Sequence, residues 1–175
     1  MRVMQIGIIG SMADTKISKA SQGLAWKIGR EIARKGATLL FSFEKDFDSL
    51  PTIAAQACKN SGGQTVAFVS GERLDHQELD SVTINTGQLR GGGREFSLVL
   101  SCDAVICLGG GSGTLMEIAM AYQAGIPIIA IKNSGGWSSK LAGKFLDKRK
   151  RIKIAESNSA KEAVKTAIES VKIDF

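Results

Sequence analysis

Two apolar segments that lack any alternation of polar and apolar residues constrain the fold of this chain more than any other feature. Ala104–Leu108 reads AVICL and Pro127–Ile131 reads PIIAI, so neither segment has a polar face that could meet water. Strands of this kind are buried on both sides, which is typical of parallel sheets covered by helices. The two segments therefore predict an α/β fold with a mostly parallel sheet between two helical layers.

Amphipathic segments alternate with the apolar ones, as a repeated β-α-β order requires. The predicted strands are Val3–Ile9, Thr38–Phe43, Thr65–Val69, Ser81–Asn85, Ala104–Leu108, Pro127–Ile131 and Arg151–Ala155. The predicted helices are Lys16–Lys35, Pro51–Asn60, Arg94–Ser101, Thr114–Ala124, Ser138–Leu146 and Ser159–Lys172. Ser159 and Glu162 have the spacing of a capping box at the start of the last helix. The 175 residues fit one domain, 1–175, with no visible linker.

Composition excludes several classes of protein. No apolar run approaches the ~20 residues that span a bilayer, and the N-terminal segment is too short for a signal peptide, so we expect a cytoplasmic protein. The three cysteines, Cys58, Cys102 and Cys107, match no zinc-binding spacing and are interpreted as buried thiols. His76 is the single histidine, which argues against a histidine-based metal site or a serine–histidine triad.

Positive charge is concentrated in one segment. Residues 140–153 contain seven basic residues and one acidic residue, and the net charge of the whole chain is +6. The segment is either a solvated helix end or a surface that attracts polyanions. Because the two Trp and one Tyr residues lie outside it, we expect no stacking platform for nucleic acid there, which makes a basic nucleic-acid-binding module the weakest of the functional alternatives.

The sharpest functional signal is the glycine-rich sequence Gly109-Gly110-Gly111-Ser112-Gly113-Thr114, between a predicted strand and a predicted helix. Residues without side chains let backbone N–H groups face a ligand, and the helix N-terminus adds free amides and a partial positive charge. Such a site binds anions, most often phosphate. The sequence is not a Walker A loop, because no lysine follows the last glycine. The alternative is a turn that is glycine-rich only because it is tight.

Three other residues are predicted to lie at the same sheet edge, where the carboxyl ends of parallel strands meet. Arg94 opens a helix after Gly91–Gly93 and either pairs with phosphate or a base, or is an ordinary exposed arginine. Glu117 either meets a sugar hydroxyl or water, or forms a capping box with Thr114. Ser11, after Gly10, either donates to a ligand or caps the next helix.

The sequence from Arg94 to Glu117, R-(x8)-D-A-V-I-C-L-G-G-G-S-G-T-L-M-E, resembles a family signature. It is similar to the Lonely Guy-type nucleotide phosphoribohydrolases, long labelled lysine decarboxylases, and to the related molybdenum cofactor carrier proteins. The family motif is P-G-G-x-G-T-x-x-E with an upstream arginine. Gly110, Gly111, Gly113, Thr114 and Glu117 match it, and Gly10–Ser11 matches the first glycine–serine loop.

The resemblance implies a Rossmann-like homodimer or homotetramer that binds a nucleoside monophosphate or a molybdopterin-type ligand, with no required cofactor and no metal. In the hydrolases the loop holds the 5′-phosphate, and the matching arginine and glutamate serve cleavage of the base–ribose bond. By this likeness Arg94 and Glu117 are the candidate catalytic residues. Gly10, Ser11 and Gly109–Thr114 are the candidate ligand-binding residues.

Two departures favour binding without turnover. The family proline is Gly109 here, as is common among the carriers. The second glycine-rich loop of the hydrolases is replaced by Phe41–Leu50, which contains Glu44, Asp46 and Asp48 beside Lys45 and is expected to crowd or repel phosphate. We therefore predict a carrier-like binding protein, with a phosphoribohydrolase as the alternative. The sequence shows no pyridoxal phosphate site and supports no lysine decarboxylase.

Overall fold

The structure is a computed structural model that describes residues 2–12, 16–43, 49–70, 82–88 and 92–171. Its strands are β1 (Gln5–Gly10), β2 (Thr38–Ser42), β3 (Gln64–Val69), β4 (Val82–Asn85), β5 (Ala104–Leu108), β6 (Ile128–Ile131) and β7 (Ala155–Ser157). Its helices are α1 (Lys19–Arg34), α2 (Leu50–Asn60), α3 (Gly93–Leu100), α4 (Ser112–Ala124), α5 (Gly136–Leu141) and α6 (Ala160–Ser170).

The strands form one sheet in the order β4-β3-β2-β1-β5-β6-β7, and every pairing between them is parallel. From β1 the strands β2, β3 and β4 follow one another towards one edge of the sheet, and from β5 the strands β6 and β7 follow towards the other edge. The point where the direction reverses lies between β1 and β5, and ligands of open α/β sheets bind beyond the carboxyl ends of the strands at such a point.

Two apolar cores cover the two faces of the sheet, which confirms the predicted three-layer α/β fold. On one face α1, α2 and α6 bury aliphatic side chains such as Ile28, Leu50 and Val164. On the other face α3 and α4, with partly buried side chains of α5, cover a core that includes Leu98 and Tyr122. Burial of this apolar surface is the main term that stabilises the fold.

The elements near the C-terminus differ most from the predicted ones. The last strand is β7, Ala155–Ser157, whereas residues 151–154 lie outside the sheet and contribute only an antiparallel bridge between Phe145 and Lys153. The predicted helix 138–146 begins two residues earlier and ends at Leu141, because Ala142 leaves the helical conformation. Ser159 caps α6 as predicted, but the Glu162 carboxylate accepts a hydrogen bond from the Asn158 amide rather than from the amide of the capping residue.

Two expectations about composition can be compared with the described residues. Cys58, Cys102 and Cys107 are all buried and unbonded to one another, as predicted. Among the helices within the described ranges, none has both the length and the apolar character needed to cross a membrane. His76 lies outside the described residues.

Candidate functional site

The candidate site begins where β1 and β5 end side by side. Gly10 pairs with Leu108, and the Ser11 amide donates to the Leu108 carbonyl at 3.0 Å. A side chain at Gly10 would overlap the Leu108 backbone, so the two strand ends meet more closely than a residue with a Cβ allows. The Gly10–Ser11 turn and the glycine loop, residues 109–113, therefore meet at the reversal point of the sheet.

Gly109 and Gly110 give the glycine loop its shape. Both have positive φ, 63° and 90°, a conformation that costs residues with side chains about 1–2 kcal/mol. A Cβ on Gly110 would also overlap the Thr114 side chain. These two glycines are therefore required by the turn itself, as the tight-turn interpretation expected, whereas a Cβ on Gly111 or Gly113 meets nothing within 4 Å.

Two serine hydroxyls hold the loop in place. The Ser11 hydroxyl accepts from the Gly110 amide at 2.8 Å, and the Ser134 hydroxyl accepts from the Gly109 amide at the same distance. Ser11 does not cap α1, whose N-terminus is capped by Ser18. The Gly109 and Gly110 amides thus already donate hydrogen bonds within the protein. A ligand must therefore bind to the amides that follow them.

The turn from β6 into α5 supports the loop from the other side. The Trp137 and Ser138 amides donate to the Gly110 and Gly109 carbonyls, each at 3.0 Å. Gly136 has φ 55°, and a Cβ there would overlap the Gly109–Gly110 backbone. Sequence reasoning missed this support, although the Ser-Gly-Gly sequence at 134–136, which begins three residues after the end of an apolar strand at the same sheet edge, was a usable signal.

The N-terminus of α4 faces the site without a side-chain cap. The helix begins at Ser112 with Gly111 as its N-cap, and no side chain caps it in the part of the chain that the structure describes. The predicted capping box of Thr114 and Glu117 is wrong because the helix starts two residues before Thr114. The amides of Gly111 to Thr114 belong to the first turn, where N–H groups lack an intrahelical acceptor.

Arg94 is buried, with a 4% exposed side chain, so its interpretation as an ordinary surface arginine is wrong. Its guanidinium donates to the Glu95 carboxylate at 3.0 Å and to the Phe43 carbonyl at 3.5 Å. Phe43 directly follows β2, so Arg94 lies at the predicted edge of the sheet. Glu95, which sequence reasoning did not consider, neutralises part of its charge.

Glu117 lies in the second turn of α4 with 7% of its surface exposed. Burial raises the pKa of the Cys107 thiol to about 12, and the nearby Glu117 carboxylate adds to that increase. Burial also raises the pKa of the Cys102 thiol, and the nearby Asp103 and Glu117 carboxylates add to that increase. Glu117 therefore lies on the inner side of α4, on the sheet face that α3 also covers.

Comparison with known proteins identifies the family. The model of the SLOG cluster4 family matches residues 3–164. The chain belongs to the SLOG cluster4 family. A protein of Archaeoglobus fulgidus is 30% identical over 132 residues, which cover 75% of this chain and 82% of the relative.

Solved structures agree with this SLOG cluster4 fold. TM1055 superposes with a TM-score of 0.84 at 24% identity, covering 95% of this chain and 99% of its own. The molybdenum cofactor binding protein of Rippkaea orientalis has a TM-score of 0.81 at 24% identity, and the match covers 98% of this chain and 99% of that protein. The molybdenum cofactor carrier protein of Chlamydomonas reinhardtii has a TM-score of 0.78 at 24% identity, and the match covers 97% of this chain and 100% of that protein. The resemblance predicted from the motif is confirmed, and at these identities the likeness concerns the fold.

The SLOG cluster4 chain thus brings Gly10, Ser11 and the glycine loop into direct contact. Arg94 joins the neighbouring β2 end, and Glu117 lies on the inner side of α4, the helix that follows the loop. The acidic residues Glu44, Asp46 and Asp48, with Lys45, lie outside the described residues, so the expected crowding of a phosphate stays a prediction.

Proposed function

We propose that this protein binds the phosphate of a nucleotide-like ligand at the N-terminus of α4 and holds it without turning it over. The observation that carries the proposal is the uncapped first turn of α4, residues 111–114, at the reversal point of a parallel sheet. Free amides and the positive end of the helix dipole favour an anion at this position. The exposed, side-chain-free Gly111 and Gly113 leave room for close approach.

Among the described residues, the groups that hold the loop through the hydrogen bonds given above are neutral. Ser11 and Ser134 take up the two amides that shape the turn, and the carbonyls of Gly109 and Gly110 are bound by α5. A phosphate at the helix start therefore does not have to displace a carboxylate from these groups. A loop that is shaped before the ligand arrives loses little conformational entropy on binding.

The ligand we propose is a molybdopterin-type cofactor or a nucleoside monophosphate, carried as cargo. Two of the three solved structures described above are named as molybdenum cofactor binding or carrier proteins. Both kinds of ligand end in a phosphate, which suits the backbone amides of residues 111–114. The fit concerns the phosphate end, because the amides and the helix dipole recognise that group in either ligand.

A second candidate function is supported by the burial of Glu117. Glu117 is 7% exposed, and a buried carboxylate close to a ligand site is a candidate for charge-stabilising chemistry. Cleavage of a base–ribose bond passes through an oxocarbenium-like centre, which a nearby carboxylate stabilises. A nucleoside 5′-monophosphate phosphoribohydrolase would use Glu117 in this way, with Arg94 orienting the nucleotide.

One experiment separates the two functions. The protein is incubated with AMP, GMP, CMP, UMP and a phosphate-bearing pterin, free base is measured by chromatography, and the melting temperature is recorded for each ligand. The carrier proposal predicts a raised melting temperature without released base. Base released by the wild type and lost in Glu117→Gln, but not in the exposed control Glu169→Gln, would replace the carrier with the hydrolase. Absence of both binding and release would overturn the proposed site.

The assembly and the location of the protein stay predictions. The resemblance implies a homodimer or homotetramer, and the sequence composition predicts a cytoplasmic location. Sedimentation velocity at micromolar concentration measures the assembly directly, and a monomer would contradict that expectation.

A further inference from the structure

The basic segment, residues 140–153, is an ordered surface rather than a solvated helix end. Only Lys140 and Leu141 belong to α5, and the remainder folds back on itself. The Gly143 amide donates to the Ile154 carbonyl at 3.0 Å, and the Ile154 amide donates to the Lys144 carbonyl at 2.9 Å. Because Ala142 and Ile154 are buried, the two ends of the segment are attached to the core.

Tyr122 of α4 fixes the middle of the segment. Its hydroxyl donates to the Asp147 carboxylate at 2.6 Å and accepts from the Arg151 amide at 3.0 Å. Asp147 also accepts from the Arg149 side chain at 2.7 Å. These hydrogen bonds, from Arg149 first and Tyr122 second, lower the pKa of Asp147 to about 2. The acidic residue of the segment is therefore engaged in holding the loop.

The lysines of the segment are left facing solvent around exposed aromatic surface. Phe145 is 40% exposed, and the Lys150 ammonium lies 5.8 Å from the centre of its ring. At the edge of the segment the Lys140 ammonium lies 4.6 Å from the centre of the Trp137 ring. The prediction that the segment has no stacking platform considered only Trp and Tyr, so it left out the Phe145 ring and the Trp137 ring that borders the segment.

We propose that the basic segment is a binding surface for single-stranded nucleic acid. Lysine ammonium groups meet the phosphates, and unpaired bases offer flat faces to the exposed ring of Phe145, as in known single-strand binders. An acidic protein surface would use the cations but not the ring, and a duplex keeps its bases stacked inside. The proposal is independent of the phosphate site at α4, because no group of the glycine loop takes part in it.

The test is fluorescence anisotropy of fluorescein-labelled dT20 with the full chain, at 50 to 300 mM NaCl. The wild type is expected to bind with a salt-dependent affinity. Lys148→Gln/Lys153→Gln is expected to weaken binding about tenfold at the low-salt end and to reduce the slope of log K against log salt by roughly 1.4, about 0.7 for each lysine that no longer neutralises a phosphate. Phe145→Leu is expected to weaken binding at least about fivefold with the salt slope unchanged, since it removes the aromatic ring and keeps every positive charge.

The matched control is Lys27→Gln/Lys161→Gln, which removes the same charge from another basic groove, between α1 and α6. The proposal requires this control to bind dT20 like the wild type, with circular dichroism showing that every variant is folded. Equal weakening by the control would show a general charge effect and overturn the proposal. Absence of dT20 binding would also overturn the proposal. Displacement of dT20 by an equal charge of poly-glutamate, or tight binding of a duplex that Phe145→Leu leaves unchanged, would overturn it as well.

Discussion

The glycine loop and the basic segment both border α4, yet they are built in opposite ways. The glycine loop precedes the helix and is held by serine hydroxyls, backbone amides and carbonyls, all of them neutral. The basic segment is attached to the second half of the helix by Tyr122 and the charged pair of Asp147 and Arg149. The neutral bracing leaves the field of the helix N-terminus available to an anion, whereas the charged bracing uses the carboxylate that would otherwise offset the lysines.

The two regions also differ in which groups meet a partner. The glycine loop offers backbone amides, so its specificity depends on φ angles that only glycine adopts easily. The basic segment offers side chains, so single substitutions should change its binding gradually. Backbone strain should therefore disable the glycine loop, whereas removal of side chains should weaken the basic segment.

Gly136→Ala should have the largest effect on stability. The residue has φ 55°, and a Cβ would overlap the Gly109–Gly110 backbone, which no side-chain rotation relieves. Together these costs predict a loss of about 3 kcal/mol or more in the free energy of unfolding, measured by urea denaturation. Gly113→Ala is the control in the same site, because a Cβ there meets nothing within 4 Å, and it should change stability by no more than about 0.5 kcal/mol. Similar losses in both variants would refute the steric account of the loop.

Tyr122→Phe should destabilise the basic segment without affecting the glycine loop. It removes a hydroxyl that donates to Asp147 and accepts from the Arg151 amide, which predicts a loss of about 1–3 kcal/mol in the free energy of unfolding. Hydrogen exchange should show faster exchange at the Arg151 amide, with the Gly109 and Gly110 amides unchanged. Faster exchange at those glycine amides as well would mean that the two regions are coupled through α4.

Ser11→Ala should have a smaller effect, confined to the other region. The Gly110 amide loses the hydroxyl that accepts from it at 2.8 Å, which predicts a loss of about 1 kcal/mol in urea denaturation. Ser134→Ala is the comparison, because that hydroxyl also donates to the Ile131 carbonyl and should cost more than Ser11→Ala. The reverse order of the two losses would contradict the bracing described for the loop.

The pH dependence of the basic segment gives the smallest expected effect. Asp147 has a pKa lowered to about 2, against an ordinary value of about 4 for an unfolded chain. A lowered pKa stabilises the folded state above pH 4, and this contribution is lost as the pH falls towards 2. The difference in melting temperature between wild type and Asp147→Asn should therefore be constant from pH 5 to 7 and shrink between pH 4 and 2. A difference that does not change below pH 4 would show that the carboxylate is not held in this way.

The fold could be predicted from sequence because its signals are local. Apolar strands without alternation, such as Ala104–Leu108, fix both the parallel sheet and its two helical layers. The strand Ala155–Ser157 could not be placed, because three residues carry no periodicity and its position depends on pairing with β6. The start of α4 was misplaced because Ser112 and Gly113 are poor helix formers, and the fold overrides that preference.

From the sequence, only the glycine turn of the candidate site could be predicted. The positive φ of Gly109 and Gly110 is what a glycine run after a strand indicates. The bracing by Ser134 and by the start of α5 depends on β6 lying beside β5, which is a property of strand order and not of local sequence. Similarly, the burial of Arg94 depends on Glu95 and on the Phe43 carbonyl, which is 51 residues away in sequence.

The most direct test of the phosphate site removes a single backbone amide. Proline is well accepted at the first position of a helix, so Ser112→Pro should keep the start of α4 while deleting one N–H group that faces the site. Ser112→Ala is the control, because it removes the hydroxyl and keeps the amide. Titration calorimetry with the tightest ligand of the nucleotide and pterin panel should show an affinity about tenfold or more lower for Ser112→Pro, and near wild type for Ser112→Ala. Equal affinity of Ser112→Pro and the wild type would contradict phosphate binding by the amides of α4.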